Sequence, residues 1–162
     1  DHLDEHHEML FYYKIACIYF GNEKYNESVF YLEKIINNKN LYIREDLACF
    51  ARLLCLIAHY ESGKDVNLEN QLVSTYKFLI KMNDLHEVQK EIIRFLKKLS
   101  TIYPSDIKKE FIKVKERFVE LEKHTYEKRD FLYLDIISWL ESKIENRKIS
   151  DIIKEKAKLS NR

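Results

Sequence analysis

Glycine and proline are nearly missing: Gly21, Gly63 and Pro104 are the only three in 162 residues. Sheets with tight hairpins and long irregular loops need those residues as punctuation, so almost the whole chain must be helix. A glycine-rich phosphate cradle is excluded as well, because Gly21 and Gly63 each stand alone. Long apolar runs are absent too. Hydrophobic residues make up 46% of the chain, but charge interrupts each run within a few positions, far short of the ~20 residues of a membrane span. No membrane contact is expected. Cysteine is sparse and odd in number, and Cys17, Cys49 and Cys55 show no paired spacing. They read as reduced thiols packed as small apolar groups, which points to a cytoplasmic protein. No charged-then-apolar leader opens the chain, and its first residue is Asp1, so it reads as a piece of something longer or a processed product.

The formal charge is only +1, unevenly divided. Residues 1–84 carry 9 Lys and Arg against 13 Asp and Glu, and residues 85–162 carry 19 against 14. That polarity suits a head-to-tail contact, but it is not the concentrated basic face of a nucleic-acid binder, and nucleic acid is not an expected partner. The 11 tyrosines and 9 phenylalanines fall mostly at helical spacing, where core packing explains them.

What is present begins with residues 11–36, FYYKIACIYFGNEKYNESVFYLEKII. Tyr12, Ile15, Ala16, Tyr19 and Phe20 recur every three or four residues, and Gly21 with Asn22 predicts a glycine-type stop. Tyr25, Val29, Leu32, Ile35 and Ile36 resume the period beyond the turn, with Ser28 as a small residue facing the first helix. The product is an antiparallel hairpin.

These residues resemble a tetratricopeptide repeat: Tyr12, Ile15, Ala16, Tyr19, Tyr25, Ser28, Leu32 and Ile35 stand at that family's spacing. The family's turn glycine falls at Glu23, its packing alanines at Ser28 and Ile35, and its closing proline at Asn40. From Phe11 onward the chain is also similar to the carboxy-terminal part of uncharacterised Bacteroidetes tetratricopeptide proteins, through FYYKIACIYF, REDLACFARLL and ISWLESKIENR. The resemblance implies an all-α, right-handed α-α superhelix of about seven to eight helices in one domain, residues 1–162, and brings no active site with it.

A second hairpin is expected over 44–82, its first helix striped by Leu47, Phe50, Ala51, Leu54, Ile57 and Ala58 and stopped at Gly63. Asp65 to Asn67 form its turn, and Leu72, Val73, Tyr76 and Leu79 stripe its second helix. A third hairpin over 84–123 starts at a capping box of Asp84 and Glu87, and its first helix runs to Tyr103, where Pro104 stops it. Terminal helices over 127–158 close the stack: one from about Glu127 to Glu145, broken from the last by Asn146 and Arg147. In FLYLDIISWL, apolar residues occupy most of the circumference, which predicts a helix covered on two sides.

Chemistry is hard to place on this pattern. His2 and His6 stand four apart near the start, but without the His-Glu-x-x-His order of zinc hydrolases, and no metal or other cofactor is expected. His59, His86 and His124 have no nucleophile at motif spacing, and the carboxylates alternate with lysines as on a solvated face. The chain reads as a non-catalytic scaffold that binds a protein or peptide; the alternative is a peptide- or ligand-responsive regulatory module controlling an effector domain elsewhere. The tetratricopeptide resemblance implies that the first helix of each hairpin lines a concave face, with Tyr13, Cys17, Phe20, Leu53, Ile57 and Tyr60 toward a ligand. The lysine and asparagines with which family members clamp a carboxylate tail are replaced here by Tyr13, Cys17 and Leu54, so that ligand is not expected. Such an apolar face receives a peptide, a second copy of the chain, or the chain's own terminal helices.

Overall fold

The computed structural model describes residues 2–40, 44–63, 67–83 and 85–161, without the side chains of 2, 3, 129 and 132. Within them the chain forms nine helices: α1 (His2–Gly21), α2 (Tyr25–Ile36), α3 (Glu45–Ser62), α4 (Leu68–Lys81), α5 (Glu87–Leu99), α6 (Ile107–Glu122), α7 (Lys128–Tyr133), α8 (Ile136–Glu145) and α9 (Ile149–Ser160). The fold is all-α, as the scarcity of glycine and proline requires. Each of the first six helices packs on the next, and α1 touches α3 as α3 touches α5, the neighbour pattern of an α-α superhelix.

At the α1–α2 hairpin the small residue expected at Ser28 is fully buried, and its hydroxyl donates to the Ala16 carbonyl at 2.9 Å. A larger side chain there would push the two helices apart. The helix stop is built differently from the expectation. Gly21 is the last helical residue, and the left-handed position falls on Glu23, at φ 61°. Glu23 N–H donates to the Phe20 carbonyl and Lys24 N–H to the Tyr19 carbonyl, both at 2.9 Å, which is the Schellman arrangement. A glutamate is held where glycine costs nothing. Glu23→Gly is therefore expected to stabilise the chain by about 1 kcal/mol, seen as a higher urea midpoint with an unchanged slope. By contrast, Gly63 takes the left-handed cap of α3 as expected, at φ 61°, and Asn146 does the same for α8 at φ 53°.

At the start of α5 the cap is His86, whose N–H donates to the Gln89 side chain at 2.7 Å; the capping box expected at Asp84 and Glu87 rests on Asp84, which lies outside the described residues. The carboxylate of Glu127 accepts from the N–H groups of Glu87 and Val88, so a distant acid satisfies donors that a local cap leaves open. α5 also ends at Leu99 rather than Tyr103, leaving Ile102 in a turn. The turn proposed over Asp65 to Asn67 keeps only Asn67 within the described residues, where its side chain accepts from Asn70 N–H as the cap of α4.

The largest departure is at the terminal helices. The single rod expected from Glu127 to Glu145 is two helices, because Leu134 is extended (φ −126°, ψ 101°) and Asp135 caps α8 by accepting from Ser138 N–H at 3.1 Å. That break lets the segment turn. α7 lies on α3 through the stack of Phe50 on Tyr133, 5.2 Å between ring centres, while α8 enters the space between α3, α5 and α6. α9 then closes over α8, with Ile149 and Ile152 buried. Glu141 holds α6 and α9 together, accepting from Lys115 at 3.0 Å and Lys156 at 2.6 Å. Burial alone would raise its pKa, but the Lys156 and Lys115 hydrogen bonds outweigh that and hold it below the ordinary carboxylate value.

α3 is the hub of the arrangement. From Leu47 to Ala58 every residue but Arg52 is buried, so the helix is apolar around its whole circumference rather than along one stripe. Other helices surround it.

Candidate functional site

α1 and α3 run side by side and present Tyr13, Cys17 and Phe20, and Leu53, Ile57 and Tyr60, the residues expected on an inner face. The structure buries Tyr13, Phe20, Leu53 and Ile57 and leaves Cys17 and Tyr60 half-buried. Much of the covering is the chain itself. The Tyr13 hydroxyl donates to the Tyr133 carbonyl of α7 at 2.7 Å, and the Tyr60 ring meets Trp139 of α8 edge to face at 6.3 Å. The Trp139 indole N–H donates to Glu61 at 2.6 Å, and Lys143 pairs with the other oxygen of that carboxylate at 2.8 Å. Of the occupants that such a face could take, the chain's own terminal helices are the ones in place, and an open concave surface at Tyr13, Leu53 and Ile57 is not what the structure presents.

A cavity of about 250 Å³ remains where the fit is imperfect, between α1, α3 and the α7–α9 segment. Cys17, Phe20, Leu54 and Ile57 form one wall, and Leu134, Ile136, Trp139 and Ile153 the other. Three of the six expected residues thus meet at one place, and Tyr13, Leu53 and Tyr60 do not line it. The extended Leu134 between α7 and α8 is itself part of its lining. The one charged residue in the lining, Asp135, is committed to capping α8.

The chemistry of this cavity is that of a receptacle. Burial pushes the Cys17 thiol up to about 11, against the lowering effect of its hydrogen bond with Tyr13, so it is protonated at neutral pH and a poor nucleophile. Burial likewise raises Tyr13 well above the ordinary tyrosine value. Cys55 is pushed up to about 12 for the same reason. The histidines are dispersed: His59 lines a separate groove beside α4, His86 caps α5, and His124 is exposed after α6. His6 lies 3.1 Å from Arg44, and the side chain of His2, its proposed metal partner, lies outside the described residues. Among the described residues no group of three or more His, Cys, Asp or Glu side chains stands together as metal ligands would. No helix among them is long and apolar enough to cross a membrane.

Sequence reasoning did not single out Tyr133, Glu61 or Arg52. Tyr133 and Trp139 sit in the run whose apolar residues go all round, and that excess was the available signal for a segment packed inside the stack. Glu61 carried none, because its partners are 78 and 82 residues away.

No family model matches the chain, and neither a curated protein nor a solved structure matches it.

Proposed function

We propose that the chain is a non-catalytic interaction module of the tetratricopeptide type, which takes an apolar anchor of a partner peptide into the cavity between α1, α3 and α7–α9. One observation carries this reading: the first helices of two successive hairpins share an apolar inner face, and the segment laid on it leaves a pocket with a single, already engaged, charged group. Pockets of that lining gain affinity by excluding water from an aliphatic or aromatic group. The elevated thiol values of Cys17 and Cys55 agree with a binding role rather than nucleophilic chemistry.

The regulatory alternative draws on the same site. An inner face held by the chain's own segment is one a ligand could compete for, and α7–α8 would then report binding by leaving it.

The test is a display selection of random peptides on the full chain, followed by binding to Gly21→Leu. Gly21 lines the cavity in a helical conformation, and a Cβ there meets only Ile153 Cδ1, at an ordinary 3.9 Å. Leucine at this position also favours the helix, so the variant folds while its side chain plugs the entrance. Selected peptides are expected to carry a bulky apolar anchor and to lose at least about 10-fold in affinity on Gly21→Leu, or about 1.4 kcal/mol. Recovery only of peptides indifferent to that change, or of none, overturns the reading. Hydrogen exchange of α7–α8 separates the alternatives: unchanged on peptide binding for a scaffold, faster for a regulator.

A further inference from the structure

A second opening lies on the other side of α3. α2 and α4 form its two walls, α3 its floor, and the groove between them measures about 350 Å³. Its lining differs from that of the apolar cavity. Arg52 rises from the floor as the one residue of the Leu47–Ala58 stretch that is not buried. Its guanidinium carbon lies over the Phe78 ring, 4.1 Å from the centre. Nε is buried and has no hydrogen-bond partner, and among the described residues Arg52 forms no ion pair. An arginine costs free energy when half-buried in this way, and burial lowers its pKa, yet the guanidinium keeps its charge.

Glu33 lines the same groove from α2, and it too is in no ion pair among the described residues. Both charges reach the Cys55 thiol, Glu33 raising and Arg52 lowering its pKa after burial has had the larger effect. The rest of the lining is mixed: Asn37, Asn70, Gln71 and Ser74 are polar, Ile36 and Leu56 are apolar, and His59 adds an imidazole. A cation and an anion, each without an ion pair among the described residues, therefore line one groove.

We propose that this groove binds a small zwitterion, a free α-amino acid or a molecule with the same carboxylate and ammonium pair, with Arg52 taking the carboxylate and Glu33 the ammonium. A carboxylate accepts charge-assisted hydrogen bonds from the guanidinium and gives the cation the counter-charge it lacks among the described residues. The amides and hydroxyl of the walls suit a polar side chain. Phosphate fits less well, because it offers nothing to Glu33 and its second negative charge is repelled there.

Unfolding-temperature shifts of the full chain with each common L-amino acid, acetate and inorganic phosphate provide the test, followed by titration of the Arg52 Nε–H resonance with the best of them. At least one amino acid is expected to stabilise the chain at millimolar concentration and to move that resonance, with acetate and phosphate at least about 10-fold weaker. Arg52→Met should abolish the effect, with an unchanged circular dichroism spectrum as the check on folding. Glu33→Gln, on the exposed face of α2, should weaken the amino acid at least about 5-fold and leave acetate unaffected. The proposal is overturned if no amino acid shifts the transition, if phosphate does so as well, or if Glu33→Gln leaves the preference for the zwitterion intact.

Discussion

Trp139→Ala is expected to remove about 4 kcal/mol of stability, read as a fall in the urea midpoint followed by circular dichroism, with little change in slope. Trp139 is the only tryptophan and is 1% exposed. Its ring meets Tyr60 of α3, Phe95 of α5 and Phe111 of α6 at 6.3, 6.2 and 5.5 Å between centres, all edge to face. One side chain on α8 thus joins three helices from both halves of the chain. Alanine would leave a void that rigid neighbouring rings cannot close, and it would also strip Glu61, 8% exposed, of its indole donor. Against a total of about 5–15 kcal/mol for a domain, such a loss brings the chain close to unfolding at physiological temperature. Trp139→Phe separates the two contributions: most of the ring contact survives, the N–H does not, and a loss of about 2 kcal/mol is expected. A cost below about 2 kcal/mol for the alanine variant would mean that α8 is not the element closing the stack.

Phe50→Ala should be of similar size, about 4 kcal/mol, for a different reason. Phe50 is fully buried in α3 and lies flat on Tyr133, with 11° between the ring planes. The stack is the footing of α7, whose six residues could not persist as an isolated helix. Its loss is therefore expected to speed amide exchange across α7 and α8 beyond the global effect on α1–α6. A double-mutant cycle with Tyr133→Ala should give a coupling of about 1 kcal/mol, the amount that ring pairs contribute beyond area. Additive single effects would place the footing of α7 elsewhere, for instance in the hydrogen bond from the Tyr13 hydroxyl to the Tyr133 carbonyl.

The two variants probe the part of the molecule least visible in its sequence. Helix identity was legible because it depends on local quantities. Tyr12, Ala16, Tyr19 and Phe20 keep one period, Gly63 and Asn146 stop helices where only a left-handed residue can, and Ser28 marks a close approach of two backbones. Errors arose where a local pattern had competing solutions. Gly21 offered a glycine stop, yet the left-handed residue of the Schellman bonds falls two positions later, at Glu23. The N–H groups of Glu87 and Val88 in the first turn of α5 find their acceptor in Glu127, from a turn 40 residues away, which no local pattern announces.

By itself the sequence determined that the chain is a succession of helices with short connections, since periodicity, scarce glycine and one proline admit little else. The candidate binding residues on α1 and α3 came from the tetratricopeptide resemblance rather than from periodicity. Only the tertiary structure decided what lies against them. The break at Leu134 sends α7 and α8 inward, so that of the occupants open to the inner face the chain's own segment is the one in place, with a cavity at its edge. The physical reason is range: helix periodicity is fixed by residues three and four apart, whereas the contacts of Trp139, Glu61 and Tyr13 join positions 78 to 120 residues apart, and no local pattern encodes which apolar surface finds which.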